Sequence, residues 1–201
     1  YSVSRIRGVV ATGRLLLAGV VANFLFSALI LFIQFFSDFI QSLQTIRWIM
    51  GSLDIVGMDP VWKTCVLIAP PCIVLVSITK DMNLLALGDD VAHSLGVRVK
   101  TVEKTIYFAT SFAVSSVISV TGPIGFVGLI VPHILRVIVG MDNRILLPCS
   151  FLLGASFLTM ADTLARTLFS PVEIPVGIFT ALIGGVFFLW LLFRTKKEII
   201  L

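Results

Sequence analysis

Asp89 and His93 stand four residues apart, a spacing that puts a carboxylate and an imidazole on one helical face in ligand-like geometry. With Asp90 beside them they invite a metal-site reading. The chain holds 2 histidines, and the other, His133, lies on a different segment. No third ligand joins the pair, so a solvated polar face or a partner contact is the expected role, and no metal site is expected. A paired-carboxylate hydrolase fails for the same reason, because no second acid/base set converges with these two. Gly8–Arg14 reads GVVATGR and imitates the start of a phosphate-binding loop. Arg14 and Leu15 stand where that loop needs Lys and Ser/Thr, and no strand pattern precedes it. Nucleotide binding by this chain is therefore not expected. Asp162 and Arg166 are also four apart and read as an intrahelical ion pair near an interface. Cys65 and Cys72 share a helix face about 10 Å apart along the axis, too far for a disulfide. With Cys149 they read as small apolar packing residues.

Other polar residues sit inside apolar runs. Thr12, Leu16, Gly19, Asn23 and Ser27 descend one helix face in steps of three or four. Such a stripe in a membrane helix either packs against a neighbour or lines a wet path, and Asn23 near mid-membrane is costly against lipid. Ser111, Ser115 and Ser119 recur at i+4 and point to close helix packing. Gly122–Gly128, GPIGFVG, permits a tight turn and close backbone approach, as a structural re-entry or a gate would need.

The elements that position these groups follow from composition. Hydrophobic residues make up 58% of the chain, charged residues 13%, and mean hydropathy is +1.08. A soluble domain of this length has too much water-facing surface for that balance, so the bilayer is the expected solvent. The chain opens on Tyr1, with no charged region and cleavage site after it, and is expected to be a piece of a longer protein. A spanning helix takes about 20 apolar residues. Six candidates result: Leu15–Phe36, Val61–Thr79 with a kink expected at Pro70-Pro71, Thr105–Val120, Gly125–Val139, Ile145–Leu164 and Val176–Phe193. The fourth is short, carries Pro132, His133 and Arg136, and reads as broken or partial. The expected fold is all-α, a polytopic transmembrane helix bundle forming a single domain over 1–201.

Net charge is +4, but the position of the charges matters more than their sum. If the region before Leu15 is cytoplasmic, twelve of the 15 Lys and Arg residues fall on that side. Arg47, Lys63 and Arg166 remain for the other. That bias is the positive-inside pattern. It places the C-terminal Arg194, Lys196 and Lys197 in the cytoplasm, together with the segment at 82–97. Within that segment Met82–Gly96 reads MNLLALGDDVAHSLG, half apolar and half polar, a short helical patch held outside the lipid. Such a patch is expected to touch something. On the opposite side, Phe39–Ile49 reads as a short helix at the surface, with Trp48 and Trp62 suited to an interfacial belt.

Four stretches together resemble the permease family of ABC importers for iron chelates, haem and cobalamin. They are RLLLAGV at Arg14–Val20, LLALGDDVAHSLGV at Leu84–Val97, GPIGFVGLIVPHILR at Gly122–Arg136, and LLPCSFLLGASFLTMADTLAR with EIPVGIFTALIGGVFFLWLL between Leu146 and Leu192. Family permeases usually have about ten spans and work as homodimers, so the resemblance implies that this chain matches the last six. It implies that Leu84, Leu85, Leu87, Gly88, Asp89, Val91, Ala92, Leu95 and Gly96 form cytoplasmic coupling helices that dock on ABC ATPase subunits, with Gly88 at the bend between two short helices. It implies that the first span lines the translocation pathway through Leu16, Gly19, Asn23 and Ser27, with Thr12 and Gly13 near its cytoplasmic gate. Ser37–Gly51 is similar to the part that meets a substrate-binding protein on the outer side.

The function so implied is a membrane-spanning permease subunit of an ATP-driven importer. It would move a ferric siderophore, haem or cobalamin across the bacterial inner membrane. ATP hydrolysis falls to a partner chain, so the chain itself is not expected to be an enzyme. No cofactor and no nucleic-acid partner are expected; the partners are the ATPase, the binding protein, a second permease copy and the lipid bilayer. The alternative is an ATPase-independent secondary transporter or channel, which buried ionisable residues in the spans would favour.

Overall fold

In a computed structural model the chain is described at residues 5–6, 9–10, 12–168 and 170–198, with side chains at 16–168, 170–191 and 193. It divides into two compact units, 1–46 and 47–201. The first holds a two-residue antiparallel pairing of β1 (Arg5–Ile6) with β2 (Val9–Val10), then α1 (Thr12–Phe35). None of Leu16–Phe35 is buried. Helix α2 (Phe39–Ile49) has the bounds read from the sequence.

The second unit carries α3 (Asp59–Ser77), α4 (Thr79–Leu85), α5 (Asp89–Ser94), α6 (Val99–Thr121), α7 (Val127–Val139), α8 (Asn143–Thr167) and α9 (Val176–Glu198). Among the described helices, three are long and apolar enough to cross a membrane: Leu16–Phe35, Asp59–Ser77 and Asn143–Thr167. Val127–Val139 and Val176–Leu191 are apolar but shorter. At 1.5 Å per residue α7 is about 20 Å long, short of a hydrocarbon core of about 30 Å. The partial span expected there is what forms. Helix α6 begins six residues before the expected span and takes in Lys100, Glu103 and Lys104. Helix α3 continues through Pro70 and Pro71, with Pro60 near its start, where a missing N–H costs nothing.

Two apolar clusters hold the second unit. Val131, Leu135 and Leu146 are buried where α7 folds back on α8, joined by Val127, Val139, Cys149, Leu153 and Phe157. Cys149 is thus an apolar packing residue, and all three cysteines are free. Ala92, Val97 and Val102 form the other cluster with Ile78, Leu84, Leu85, Val99 and Ile106, fastening α4 and α5 to the start of α6. The Ser111, Ser115 and Ser119 ridge is exposed in this chain, and the hydroxyls of Ser115 and Ser119 back-bond to carbonyls of α6 itself. The buried serine of that helix is Ser116, one position off the ridge.

Candidate functional site

The segment Thr79–Gly96 folds as an elbow. Helix α4 stops after Leu85, and Leu87 and Gly88 donate backbone bonds back to Leu84 and Leu85. Gly88 sits at φ 108°, a value that side-chain-bearing residues rarely adopt, so the bend falls where a glycine permits it. Helix α5 then starts, with Ala92 donating to the Gly88 carbonyl at 3.0 Å. After Ser94 the chain turns through Leu95 and Gly96 into α6.

This geometry splits the residues expected at the docking face. Leu87, Val91 and Leu95 are exposed by 63%, 44% and 58%, and Gly88, Asp89 and Gly96 are exposed beside them. Ala92 is 0% exposed, and Leu84 and Leu85 pack against its cluster. Ala92, with half-buried Leu84 and Leu85 against it, holds the elbow on α6. The cause is the bend: once Gly88 turns the chain, one continuous helical stripe becomes an inward set and an outward set. Asp89 and His93 are exposed on α5.

On its other flank the elbow is tied to α8. The Asn83 amide on α4 donates through Nδ2 to Asp142 Oδ1 at 2.6 Å. Asn83 Oδ1 accepts from the Asn143 backbone N–H and from Asn143 Nδ2, both at 2.8 Å. Asp142 is the N-cap of α8 and also accepts from the Arg144 N–H at 2.9 Å. That backbone bond first, and the Asn83 amide second, hold the Asp142 carboxyl below the usual carboxylate range. The sequence reading did not single out these residues. A helix-capping Asp-Asn pair was legible at 142–143, but its partner lies about sixty positions earlier.

A cavity of about 710 Å³ opens between the end of α2, the end of α8 and the start of α9. Arg47, Trp48, Asp54, Asp162, Arg166 and Glu173 are among its lining residues. The expected ion pair is present, with Arg166 Nε donating to Asp162 Oδ2 at 2.9 Å. One wall is a backbone junction. Ser52 N–H donates to Thr121 O at 2.8 Å, and Gly177 N–H donates to Gly51 O at 2.9 Å. A Cβ on Gly122 would overlap the Trp48 carbonyl, and one on Gly177 would overlap the Met50 carbonyl. Glycine is thus required for the three segments to touch.

In the first unit, Leu16, Gly19, Asn23 and Ser27 are all exposed on α1. Leu16, Gly19, Val20, Asn23 and Phe24 outline a hollow along that helix. Ser27 Oγ lies 3.5 Å from Asn23 Oδ1, the upper limit of a hydrogen bond. Thr12 and Gly13 open α1, and beyond that they lie outside the described residues.

The sequence model of the FecCD transport family matches residues 1–194. The chain belongs to this family. It is 42% identical over 185 residues to the hemin transport system permease protein HmuU of Yersinia pestis, covering 92% of this chain and 55% of that protein. It is 38% identical over 186 residues to the vitamin B12 import system permease protein BtuC of Klebsiella pneumoniae, covering 92% and 56%. The chain thus spans about half the length of the curated relatives it matches. A solved inward-facing structure of a protein assigned as a metal-chelate type ABC transporter superposes with a TM-score of 0.82 at 34% identity, over 92% of this chain and 60% of that one. The all-helical membrane architecture is shared with that transporter.

Proposed function

We propose that this chain forms the ATPase-coupled half of a permease subunit that imports a metal chelate, a ferric siderophore, haem or cobalamin, into a bacterial cytoplasm. The observation that carries the reading is the elbow: three large aliphatic side chains left exposed, Val91 on a six-residue helix and Leu87 and Leu95 in the turns on either side of it, with the helix itself anchored from beneath. Full burial of such a side chain contributes roughly 1.5–3 kcal/mol. Each is already partly covered, so seating in a groove of an ABC ATPase contributes about 1 kcal/mol apiece. Family membership and the names of the relatives support the same assignment.

In this reading the elbow and the C-terminus face the cytoplasm, as the distribution of basic residues favours. The charged cavity near Arg47, Asp162 and Arg166 faces outward and forms the vestibule that a substrate-binding protein covers. Two permease copies face each other across the path, and Leu16, Gly19, Asn23 and Ser27 of α1 line it, with Thr12 and Gly13 at its inner mouth. ATP closes the ATPase pair, the elbow is displaced, and the helices switch between outward and inward access. The chain carries out no covalent chemistry; it supplies two states and a contact whose energy differs between them.

Reconstitution of the permease with its ATPase in vesicles tests this. Wild type should accumulate haemin or cyanocobalamin in an ATP-dependent manner. Leu87→Arg and Leu95→Arg should each lower ATPase co-purification and uptake at least tenfold, since a buried charge replaces a seated aliphatic group. Unchanged association and uptake in both variants rule out the docking role. Uptake that is indifferent to ATP rules out the importer.

A further inference from the structure

The elbow has two attachments of different physical kind. Its grip on α6 is apolar, through Ala92, Leu84 and Leu85 against Val97 and Val102. Its grip on α8 is polar and directional. Asn83 uses both ends of its amide, donating to Asp142 and accepting twice from Asn143. The two groups are separated by 59 and 60 positions in sequence, so this is a tertiary clasp rather than local capping. It closes on the first turn of α8, a helix of 25 residues long enough to cross a membrane. Just before it, Gly140 turns the chain out of α7, and α7 is packed on α8 through Val131, Leu135 and Leu146. A load placed on α4 therefore reaches the α7–α8 hairpin through three hydrogen bonds. Apolar contacts tolerate sliding between helices, whereas hydrogen bonds lose their geometry within about half an ångström and so fix register.

We propose that Asn83, with Asp142 and Asn143, is the strut that passes elbow displacement to α8, and that Asn83 is a positioning residue for transport rather than a docking contact. This rests on the reading of the elbow as the ATPase-docking element. Nucleotide-driven closure pushes α4 and α5 as one piece. The apolar seam carries α6 along, and the clasp carries α8 and, through the hairpin, α7. Without the clasp α6 still responds, but α8 does not follow.

The clasp offers a reciprocal exchange as its test. Asn83→Asp places two carboxylates within hydrogen-bonding reach and opens the clasp. Adding Asp142→Asn restores a donor facing a carboxylate with polarity reversed, at the cost of the cap bond from the Arg144 N–H that the same Asp142 Oδ1 accepts, and leaves Asn143 donating to residue 83. Spin labels at exposed positions of α6 and α8, Val114→Cys and Met160→Cys in a background lacking Cys65, Cys72 and Cys149, report the α6–α8 distance by pulsed electron resonance. The sample is the permease–ATPase complex in lipid nanodiscs, spin-diluted with unlabelled permease, without nucleotide and with ATP plus vanadate. In the parent protein α6 and α8 move together, so vanadate trapping should leave the α6–α8 distance distribution nearly unchanged. In Asn83→Asp the ATPase should still co-purify while trapping shifts the distribution, because α6 moves and α8 does not follow, and Asn83→Asp/Asp142→Asn should remove part of that shift. Asn83→Ala, which removes the clasp without adding charge, should behave like Asn83→Asp and serves if the latter does not fold. A distribution as steady in Asn83→Asp and Asn83→Ala as in the parent, or a shift in the exchange variant as large as in Asn83→Asp, overturns the strut. Failure of the parent permease to hold the ATPase at all overturns the docking reading instead, and the strut with it.

Discussion

Three glycines of α9 meet different surroundings, and alanine at each should rank in a fixed order. An added Cβ at Gly185 meets nothing within 4 Å. Alanine there gains up to about 1 kcal/mol of helix propensity over glycine. At roughly 2–4 °C per kcal/mol for a chain of this size, the midpoint should rise by about 2–4 °C. At Gly184 the Cβ would overlap the Cβ and Cγ of Phe126, atoms close to a backbone held at φ 67°, so the ring cannot simply swing aside. Overpacking of that kind costs about 1–3 kcal/mol, partly offset by the same propensity gain, and the midpoint should fall by up to about 8 °C. At Gly177 the obstacle is backbone: the Met50 carbonyl, with Gly51 O at 3.1 Å and Gly51 Cα at 3.2 Å. Relief there moves a segment that also receives the Gly177 N–H and binds Thr121 through Ser52. Each of the two lost hydrogen bonds adds about 0.5–1.5 kcal/mol to an overpacking cost of about 1–3 kcal/mol, giving roughly 2–6 kcal/mol in all and a fall of roughly 4–24 °C. The assay is thermal unfolding in detergent with Cys149 as reporter, since it is packed between α7 and α8. Cys65 and Cys72 are replaced by Ser, and a fluorogenic maleimide follows exposure of the remaining thiol. If Gly177→Ala melts at or above Gly185→Ala, the close backbone junction does not exist and the cavity wall built on it is wrong.

Two further outcomes follow from the charged groups. The Asp162–Arg166 pair is local, and its side chains are 21% and 35% exposed, so solvent weakens it. Asp162→Asn should shift the midpoint by no more than about 2 °C, given about 0.3–0.5 kcal/mol for such pairs; a drop beyond about 5 °C would mean the pair anchors more than its own helix turn. Asp142 has a folded-state pKa below its ordinary value, so its contribution is present above that ordinary value and is lost as pH falls through the lower one. The melting gap between wild type and Asp142→Ala should hold steady from pH 7 to about 5 and close below about pH 4. A gap that widens on acidification contradicts the assigned direction.

Much of this molecule is written in local sequence. The apolar runs, the short α7, the surface helix Phe39–Ile49 and the Gly88 bend all depend on residues within a few positions of each other, and each forms where composition and spacing put it. The Asp162–Arg166 pair formed for the same reason, because i and i+4 always meet on a helix. The elbow was legible as an amphipathic patch but not as a face. Leu84, Leu85 and Ala92 share its apolar character with Leu87, Val91 and Leu95, and only the turn at Gly88 and the packing on Val97 and Val102 decide which set points inward. The serine ridge of α6 shows a related limit: i+4 spacing says which residues share a face, not what lies against it.

Sequence alone determined that this is a helical membrane protein of the FecCD transport family, because hydropathy and family motifs are additive along the chain. Tertiary structure decided which leucines are left free on the elbow. It also decided that Asn83 grips the start of α8 and that Gly122 and Gly177 let three segments touch backbone to backbone. Those contacts join residues tens of positions apart, and a pairwise meeting in space leaves no mark on the local periodicity of either partner.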